Sequence, residues 1–383
     1  GTTMSDEAIY KAFIEWLNKA WFKVPEAEEL TPLIMARYTP EEAELLTGMP
    51  FSTKTLAELA EMKQMDPAEL GPKLDALAGK GLVYRSAKSD HVRYRLNDAL
   101  FVYLRSAFWA GRSDEDSKAI APLANRYYYN GFFEQYDDSH YKGLRTVPVD
   151  ETVEDTRQIL PYDDVVKIVN DQDYWSVSHC ACRHRKNIDP DSPGCTYPTE
   201  TCLHFGSLGR YIVENGMGRE ITREETIEIL GRCADDGLVH GASNWEEHVD
   251  TICNCCKCCC LFLEAFHKLG HSGSLSPSNY RARIDVENCK GCGLCVKRCP
   301  MEAVHLEESP QANNKTGKVA VLDREICIGC GVCAHKCPAE AIVLEECEEI
   351  RKPARNAHEY MRQYLGDRKA AQAERAETAA KQQ

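Results

Sequence analysis

The sequence predicts an α+β chain of several domains, with a mostly helical N-terminal part, a cysteine-rich α/β middle module and a short duplicated C-terminal domain. Three observations predict it. Apolar residues recur at helical spacing through the N-terminal part, all twenty cysteines lie between Cys180 and Cys347, and residues 285–308 recur as residues 323–346. The boundaries expected are 4–110, 111–280, 281–348 and a helix-prone polar tail at 349–383. A chain of 383 residues with 43% hydrophobic and 28% charged residues has an ordinary globular composition, which excludes global disorder. Its 46 Lys+Arg against 60 Asp+Glu give a net charge of −14. No apolar run approaches the roughly 18 residues of a membrane helix, and no basic stretch followed by an apolar one opens the chain. A cytoplasmic protein without a membrane span is therefore expected. Gly1, Thr2 and Thr3 precede Met4 and read as the remnant of a cleaved tag, so fold reasoning begins at Met4.

The N-terminal elements follow from capping and periodicity. Residues 8–22 (AIYKAFIEWLNKAWF) carry apolar positions at helical spacing. Ser52 or Thr53 is expected to cap a helix containing Leu56, Leu59 and Ala60. Asp66, with Pro67 and Glu69, caps the next, and Gly81 ends it. GLVYR and HVRYRL then read as two short strands. Three helices and two strands in this order resemble a winged helix, which implies either DNA binding or a docking and dimerising role. The candidate recognition helix, Pro67 to Lys80, sets Glu69 and Asp75 against Lys73 and Lys80, so its charge sums to zero. Phosphate binding wants a basic footprint. Arg85, Lys88, Arg93 and Arg95 make the wing basic, yet the acidity of the whole chain disfavours DNA, and a docking or dimerising role, a homodimer through this domain among the options, is the preferred reading.

Residues 101–145 are rich in aromatics (Tyr127, Tyr128, Tyr129, Phe132, Phe133, Tyr136, Tyr141) and read as core rather than as a cofactor pocket. Thr222 with Glu225 forms a capping box opening the scaffold helix ITREETIEIL. The chain from Arg355 onward reads as a frayed or partner-bound helix.

The middle module holds eleven cysteines. Cys180 and Cys182 sit on a short extended or turn segment, and Cys195 and Cys202 lie beyond a Pro/Asp/Ser loop, so four thiolates from adjacent loops are available to one site. Cys253, Cys255, Cys256, Cys258, Cys259 and Cys260 run into LFLEAFHKLG. A helix starting inside that run would put Cys253, Cys256 and Cys260 on one face. Cys233 is unassigned. Six thiols in eight positions are hard to explain by packing alone, so metal ligation is expected: one or two further iron-sulfur clusters, with zinc as the alternative. Arg183, Arg185 and Lys186 beside Cys182 either offset cluster charge, receive an anionic ligand or form a solvated basic loop. His179, His184, His204, His240 and His248 are left unassigned. CACR, CTYPTETCLHFG, GLVHGASNW and ICNCCKCCC together resemble a redox module that anaerobic bacteria fuse to ferredoxins, over roughly residues 145–270, which implies extra redox centres.

The repeat is the most specific signal. Fourteen of its 24 positions are identical, and each copy carries C-x2-C-x2-C-x3-C-P. Three cysteines at i, i+3 and i+6 of a tight loop can face one cluster, and the fourth ligates the other. Gly291, Gly293, Gly329 and Gly331 are expected to let backbone N–H groups approach the sulfides. Cys289, Cys292, Cys295 and Cys337 would then hold one [4Fe-4S] cluster, and Cys327, Cys330, Cys333 and Cys299 the second. The polar turn 309–317, between strand-like runs at Val304 to Leu306 and Lys318 to Leu322, supplies a hairpin. The segment resembles the bacterial-type ferredoxins with two [4Fe-4S] clusters, which implies a ferredoxin-like dicluster fold.

A large unsignalled chain is a poor candidate for a disulfide framework, and neither a Gly-rich dinucleotide fingerprint nor a P-loop is present. The expected function is a cytoplasmic electron-transfer protein of anaerobic metabolism. It would relay single electrons to or from a partner oxidoreductase or another electron carrier, as a component of an oxidoreductase system more than as a stand-alone enzyme. Two rivals stand beside it: a reductase with a catalytic cluster in the middle module, and a redox-sensing winged-helix regulator.

Overall fold

A computed structural model describes residues 5–88, 91–133, 142–270 and 274–381. The chain forms two compact units that interleave along the sequence. Gly1–Asp138, Ser178–Glu200 and Ser207–Glu220 make the first; Ser139–Val177, Thr201–Gly206 and Ile221–Gln383 make the second.

In the first unit, α1 (Asp6–Leu17) starts where Ser5 Oγ accepts the Ala8 N–H, and it buries Ile9, Tyr10, Phe13 and Leu17. Next come α2 (Leu30–Arg37) and α3 (Pro40–Leu46), the latter opened by a Thr39/Glu42 capping box. A short strand β1 (Lys54–Thr55) leads into α4 (Leu56–Lys63), and α5 (Pro67–Gly79) starts behind Asp66 as expected. The cap of α4 is Thr55, in a capping box with Glu58, and not Ser52 or Thr53. Sheet pairing explains the shift: Lys54 and Thr55 pair with Tyr94 and Arg93, which keeps the backbone extended up to Thr55. Strands β2 (Val83–Lys88) and β3 (His91–Leu96) form an antiparallel hairpin, and the sheet order is β1-β3-β2. Two of the wing cations are engaged within the unit. Arg85 pairs with Asp75 at 2.9 Å, and Arg95 lies over the Tyr84 ring at 4.4 Å.

A π-helical turn, Leu100–Ser106, precedes α6 (Glu115–Asn130), which is capped by Asp114. Tyr127, Tyr128 and Phe132 are fully buried, Phe132 stacks on Phe22 at 5.0 Å, and Tyr127 Oη donates to the Pro25 carbonyl. They belong to the core of this unit; Tyr136 and Tyr141 lie outside the described residues.

Further along come β4 (Leu144–Thr146), α7 (Val165–Asn170), β5 (Trp175–His179), α8 (Ala181–Ile188), β6 (Glu200–Phe205), α9 (Gly206–Glu214) and β7 (Arg219–Ile221). They are followed by α10 (Arg223–Asp236), β8 (Val239–Ser243), β9 (Thr251–Cys255) and α11 (Leu261–Leu269). Strands β4 to β9 form a six-stranded sheet of order β4-β8-β9-β6-β5-β7. Thr222 Oγ1 accepts the Glu225 N–H to open α10.

At the start of α7, the Val165 and Val166 N–H groups donate to the two oxygens of Asp150. Burial, with Asp164 close by, pushes the Asp150 carboxyl up to about 7. Between about pH 4 and this value the unfolded chain has released the proton while the folded one keeps it, so stability falls as pH rises through that window and levels off above it. Asp150→Asn keeps an acceptor for one N–H and removes the titration. The urea midpoint of the variant should therefore change less than that of the parent between about pH 5.5 and about pH 8. An equal fall in both proteins would refute this.

The C-terminal part of the second unit contains β10 (Tyr280–Ile284), α12 (Leu294–Arg298), β11 (Val304–Glu308), β12 (Lys318–Leu322), α13 (Val332–His335) and β13 (Ile342–Glu346). β10 pairs antiparallel with β13, and β11 with β12 across the expected turn. Each repeat thus contributes a cysteine loop, a short helix and a following strand. The tail is the helix α14 (Ala357–Lys381); Tyr360, Tyr364 and Arg368 are buried, and the Tyr360 ring sits 5.6 Å from Trp245. Its first half is docked rather than frayed.

Candidate metal centres

The two cysteine runs line two cavities. One, of ≈ 370 Å³ including its open side, is bordered by Cys289, Cys292, Cys295 and, from the other run, Cys337. The second, of ≈ 320 Å³ including its open side, is bordered by Cys327, Cys330, Cys333 and, reciprocally, Cys299. Their remaining walls are mostly apolar, with Leu306 and Ile342 in the first and Met301, Val304 and Leu344 in the second. Backbone N–H groups point at the sulfurs: Gly291 and Ala320 donate to Cys289 Sγ at 3.5 and 3.4 Å, and Ala303 donates to Cys299 Sγ at 3.3 Å. Such bonds stabilise thiolate charge.

Among the described residues, none of these eight thiols belongs to a set of three or more ligand atoms within 4.8 Å of one another. One zinc ion, about 2.3 Å from each sulfur, would draw four thiols closer than that. Sulfurs spread around a cavity fit a polynuclear cluster. Burial pushes the Cys295 thiol up to about 11, and Cys330 and Cys333 are raised further by burial and neighbouring thiols. At neutral pH these groups are protonated unless a metal stabilises the thiolates, so loading releases protons.

Two of the loop glycines have a further role beside the one expected from the sequence. At Gly329 (φ +67°) a Cβ would lie 2.0 Å from the Tyr280 carbonyl oxygen, and at Gly291 (φ +60°) 2.5 Å from that of Lys318. Each lets its loop pass against a neighbouring strand, in addition to any approach to sulfide.

The cysteine run 253–260 is not helical. Cys253 and Cys255 lie on β9, two residues apart and hence on one face of the sheet, and α11 begins only after Cys260. Pairing of β9 with β8 and β6 fixes this, with Cys253 opposite Gly241 and Cys255 opposite Val239. The face expected for Cys253, Cys256 and Cys260 on one helix is thereby replaced by two groupings. Cys255 interacts with Cys253 and Cys260, which, together with burial, raises its thiol well above the ordinary value. Cys256, Cys258 and Cys259 gather with Sγ atoms within 4.8 Å of one another, Cys256 and Cys258 being 3.4 Å apart.

Cys180 is the N-cap of α8 and Cys182 lies in its first turn, where the sequence reading had an extended or turn segment. Cys195 lies on the following loop, its N–H donating to Asn187 Oδ1 at 2.7 Å; Cys202 is buried on β6. Cys233 is buried on α10.

The solvated-loop reading of the neighbouring basic residues is overturned, because Arg183, Arg185 and Lys186 are buried on α8. Arg185 donates to Asn125 Oδ1 at 2.6 Å and lies over the Tyr128 ring, Lys186 donates to Tyr129 Oη at 2.6 Å, and Arg183 donates to the Pro198 carbonyl. Partners on α6 and the 189–199 loop make this burial possible, and the residues themselves carried no signal of it. Four of the five histidines named above have hydrogen-bonding partners for their rings. His240 Nδ1 meets Asn254 Oδ1 at 2.7 Å, and burial lowers its pKa to about 4, so it is neutral. His204 meets Thr251, His179 meets Thr199, and His184 meets the Arg112 carbonyl.

Comparison with curated proteins gives no match, and comparison with solved structures gives none. Residues 288–341 match the family described as the 4Fe-4S dicluster domain. This segment is therefore ferredoxin-like and of the kind that binds 4Fe-4S clusters, and the cysteine-rich region before it points to further metal centres.

Proposed function

We propose that the chain is an electron-transfer protein in which two [4Fe-4S] clusters exchange single electrons with a partner oxidoreductase or carrier. The observation that carries this reading is the reciprocal lining of the cavities, three cysteines from one run and the fourth from the other. Cys289, Cys292, Cys295 and Cys337 hold one cluster, and Cys327, Cys330, Cys333 and Cys299 the second. The clusters supply the one-electron chemistry. The chain's own contribution is to exclude water with apolar walls, donate backbone N–H groups to the sulfurs and fix the two sites in one unit, and these are the levers that set potential. Arg298 adds rigidity by donating from Nε to the Val332 carbonyl and from Nη1 and Nη2 to the Asp235 and Ala234 carbonyls.

Among the described residues no helix is long and apolar enough to cross a membrane. The net charge of −14 suits steering toward a basic docking face in the cytoplasm. The absence of net positive charge on α5 and the internal engagement of Arg85 and Arg95 weigh against DNA and for a docking or dimerising role of the winged-helix-like region. Retardation of duplex DNA by the holo-protein at low salt would revive the regulator.

The middle cysteines support a second reading for one site. Three thiols as close as Cys256, Cys258 and Cys259 suit a single soft ion better than a cubane, which raises the zinc alternative there and lowers that of a catalytic cluster. Metal and sulfide analysis of protein purified without oxygen decides. About eight irons and about one zinc are expected; roughly twelve or sixteen irons would put clusters in the middle module, and an iron-free folded protein would end the proposal. Iron chelation should also melt the pairing of β10 with β13 cooperatively, since cluster binding is folding free energy here. Circular dichroism during chelation tests this, and an unchanged spectrum after full iron loss would contradict it.

A further inference from the structure

The two copies of the repeat bury their cysteine loops to different depths. Among the eight thiols of the duplicated runs Cys292 alone is exposed, whereas its counterpart 38 positions on, Cys330, is buried. The neighbouring positions differ in the same way. Lys290 and Leu294 stand at the surface, while Ile328 and Val332, which occupy the same places in the second copy, are buried. The cause is what packs over each loop. The second is covered by residues 149–152 and 278–280: the Val149 N–H donates to the Cys330 carbonyl, Ser278 Oγ donates to that of Gly329, and a Cβ on Gly331 would meet Thr152 Oγ1 at 2.3 Å. The first loop is braced from one side by the 309–317 turn, with Asn314 Nδ2 donating to the Cys289 carbonyl at 2.9 Å.

The cavity walls carry the same asymmetry. Lys290, Cys292, Leu294 and Pro338 border the first cavity and are exposed, so it has a surface edge. None of the residues bordering the second cavity is exposed. Electron transfer weakens steeply with separation, so a partner exchanges electrons where a cluster comes nearest the surface. Lys290 is the only charged residue in either wall. Residues 288–301 and 309–322 hold five cations, Lys290, Lys297, Arg298, Lys315 and Lys318, and no acid. The four lysines are exposed and have no ion-pair partner among the described residues. Glu287 and Glu340 flank these segments and Glu308 lies opposite Lys318 in the strand register, so the cationic excess is local to the loop and α12. On α12, Leu294 and Lys297 are three positions apart and share a face.

On the electron-transfer reading, on which this depends, we propose that the opening at Cys292 is the port of the dicluster domain and that it takes a redox protein with an acidic docking patch. The partner's carboxylates meet Lys290 and Lys297, and an apolar contact at its centre meets Leu294 and Pro338. One electron passes between the partner and the first cluster, and the enclosed second cluster is reached through the first. The net charge of −14 favours a basic partner elsewhere on the chain, and at this opening the contact charges have the other sign. That arrangement suits a relay between two partners of unlike docking charge.

Stopped-flow reoxidation of the reduced holo-protein tests the port. The oxidants are the cobalt(III)–EDTA anion and the hexaamminecobalt(III) cation, each of which takes one electron from a cluster and becomes cobalt(II) without forming a bond to the protein. Lys290→Glu and Lys297→Glu are each expected to lower the ratio of the anion rate to the cation rate by about threefold or more, with about eight irons retained. Lys352→Glu makes the same change in net charge beyond the far end of β13 and should shift the ratio by less than about twofold. At an ionic strength of about 10 mM, poly-glutamate should slow reoxidation of the parent by the anion by about threefold, and this keeps the test valid if a variant loses iron. Equal ratios in Lys297→Glu and Lys352→Glu, or a parent indifferent to poly-glutamate, overturn the port. Reduced protein that serves both oxidants without these differences leaves the electron-transfer reading standing, whereas protein without reducible iron ends both.

Discussion

Replacing Cys337 by serine should remove or alter the cluster associated with Cys289, Cys292 and Cys295 and spare the one associated with its own run. Cys337 borders the first cavity, whereas Cys327, Cys330 and Cys333 border the second together with Cys299. Cys299→Ser should do the converse. In each variant iron is expected to fall from about eight toward about four per chain, and one of two electron paramagnetic resonance signals of the reduced protein should vanish or change character. Variants of Cys337 and Cys289 should lose the same signal, and variants of Cys299 and Cys327 the other. Stability should fall with the signal, because each crossing ligand ties one repeat to the other and ligand binding is part of the folding free energy. If Cys337→Ser instead matched Cys327→Ser, each run would be closing its own site and the reciprocal arrangement would be wrong.

Gly329→Ala should be among the most damaging substitutions in the chain that touch no thiol. At φ +67° an alanine is strained, and its Cβ would sit 2.0 Å from the Tyr280 carbonyl oxygen and 2.3 Å from Ser278 Oγ. The first obstacle is backbone in β10 and cannot rotate away. Left-handed strain and overpacking together are expected to cost about 3 kcal/mol or more. Gly293→Ala supplies the control, since φ is +74° there but the nearest atom is Leu306 Cδ1 at 3.5 Å, so strain acts alone at about 1 kcal/mol. Denaturant unfolding of both holo-variants gives the comparison. Equal losses at the two glycines would show that β10 yields and that the close approach is not structurally important.

Much of the scaffold was legible in the residues. The Asp66 and Thr222 caps and the hairpin across 309–317 are set by neighbours a few positions apart. Elements that went astray did so where a distant partner overrode a local preference. Thr55 displaced Ser52 and Thr53 as a cap because β3 holds β1 extended. Cys253 and Cys255 became strand because β8 and β6 flank them. The cations of α8 looked like solvent-facing charge and are buried because Asn125, Tyr128 and Tyr129 come from a helix more than fifty positions away.

The duplicated runs by themselves determined the ferredoxin-like segment and its eight thiols, because cysteines three residues apart in a tight loop are held together covalently and need no help to face one site. Only the tertiary structure decided which middle thiols meet and that the basic helix is interior. Burial and long-range pairing are properties of what packs against a residue, and a single residue in the chain carries no mark of partners that lie more than seventy positions away.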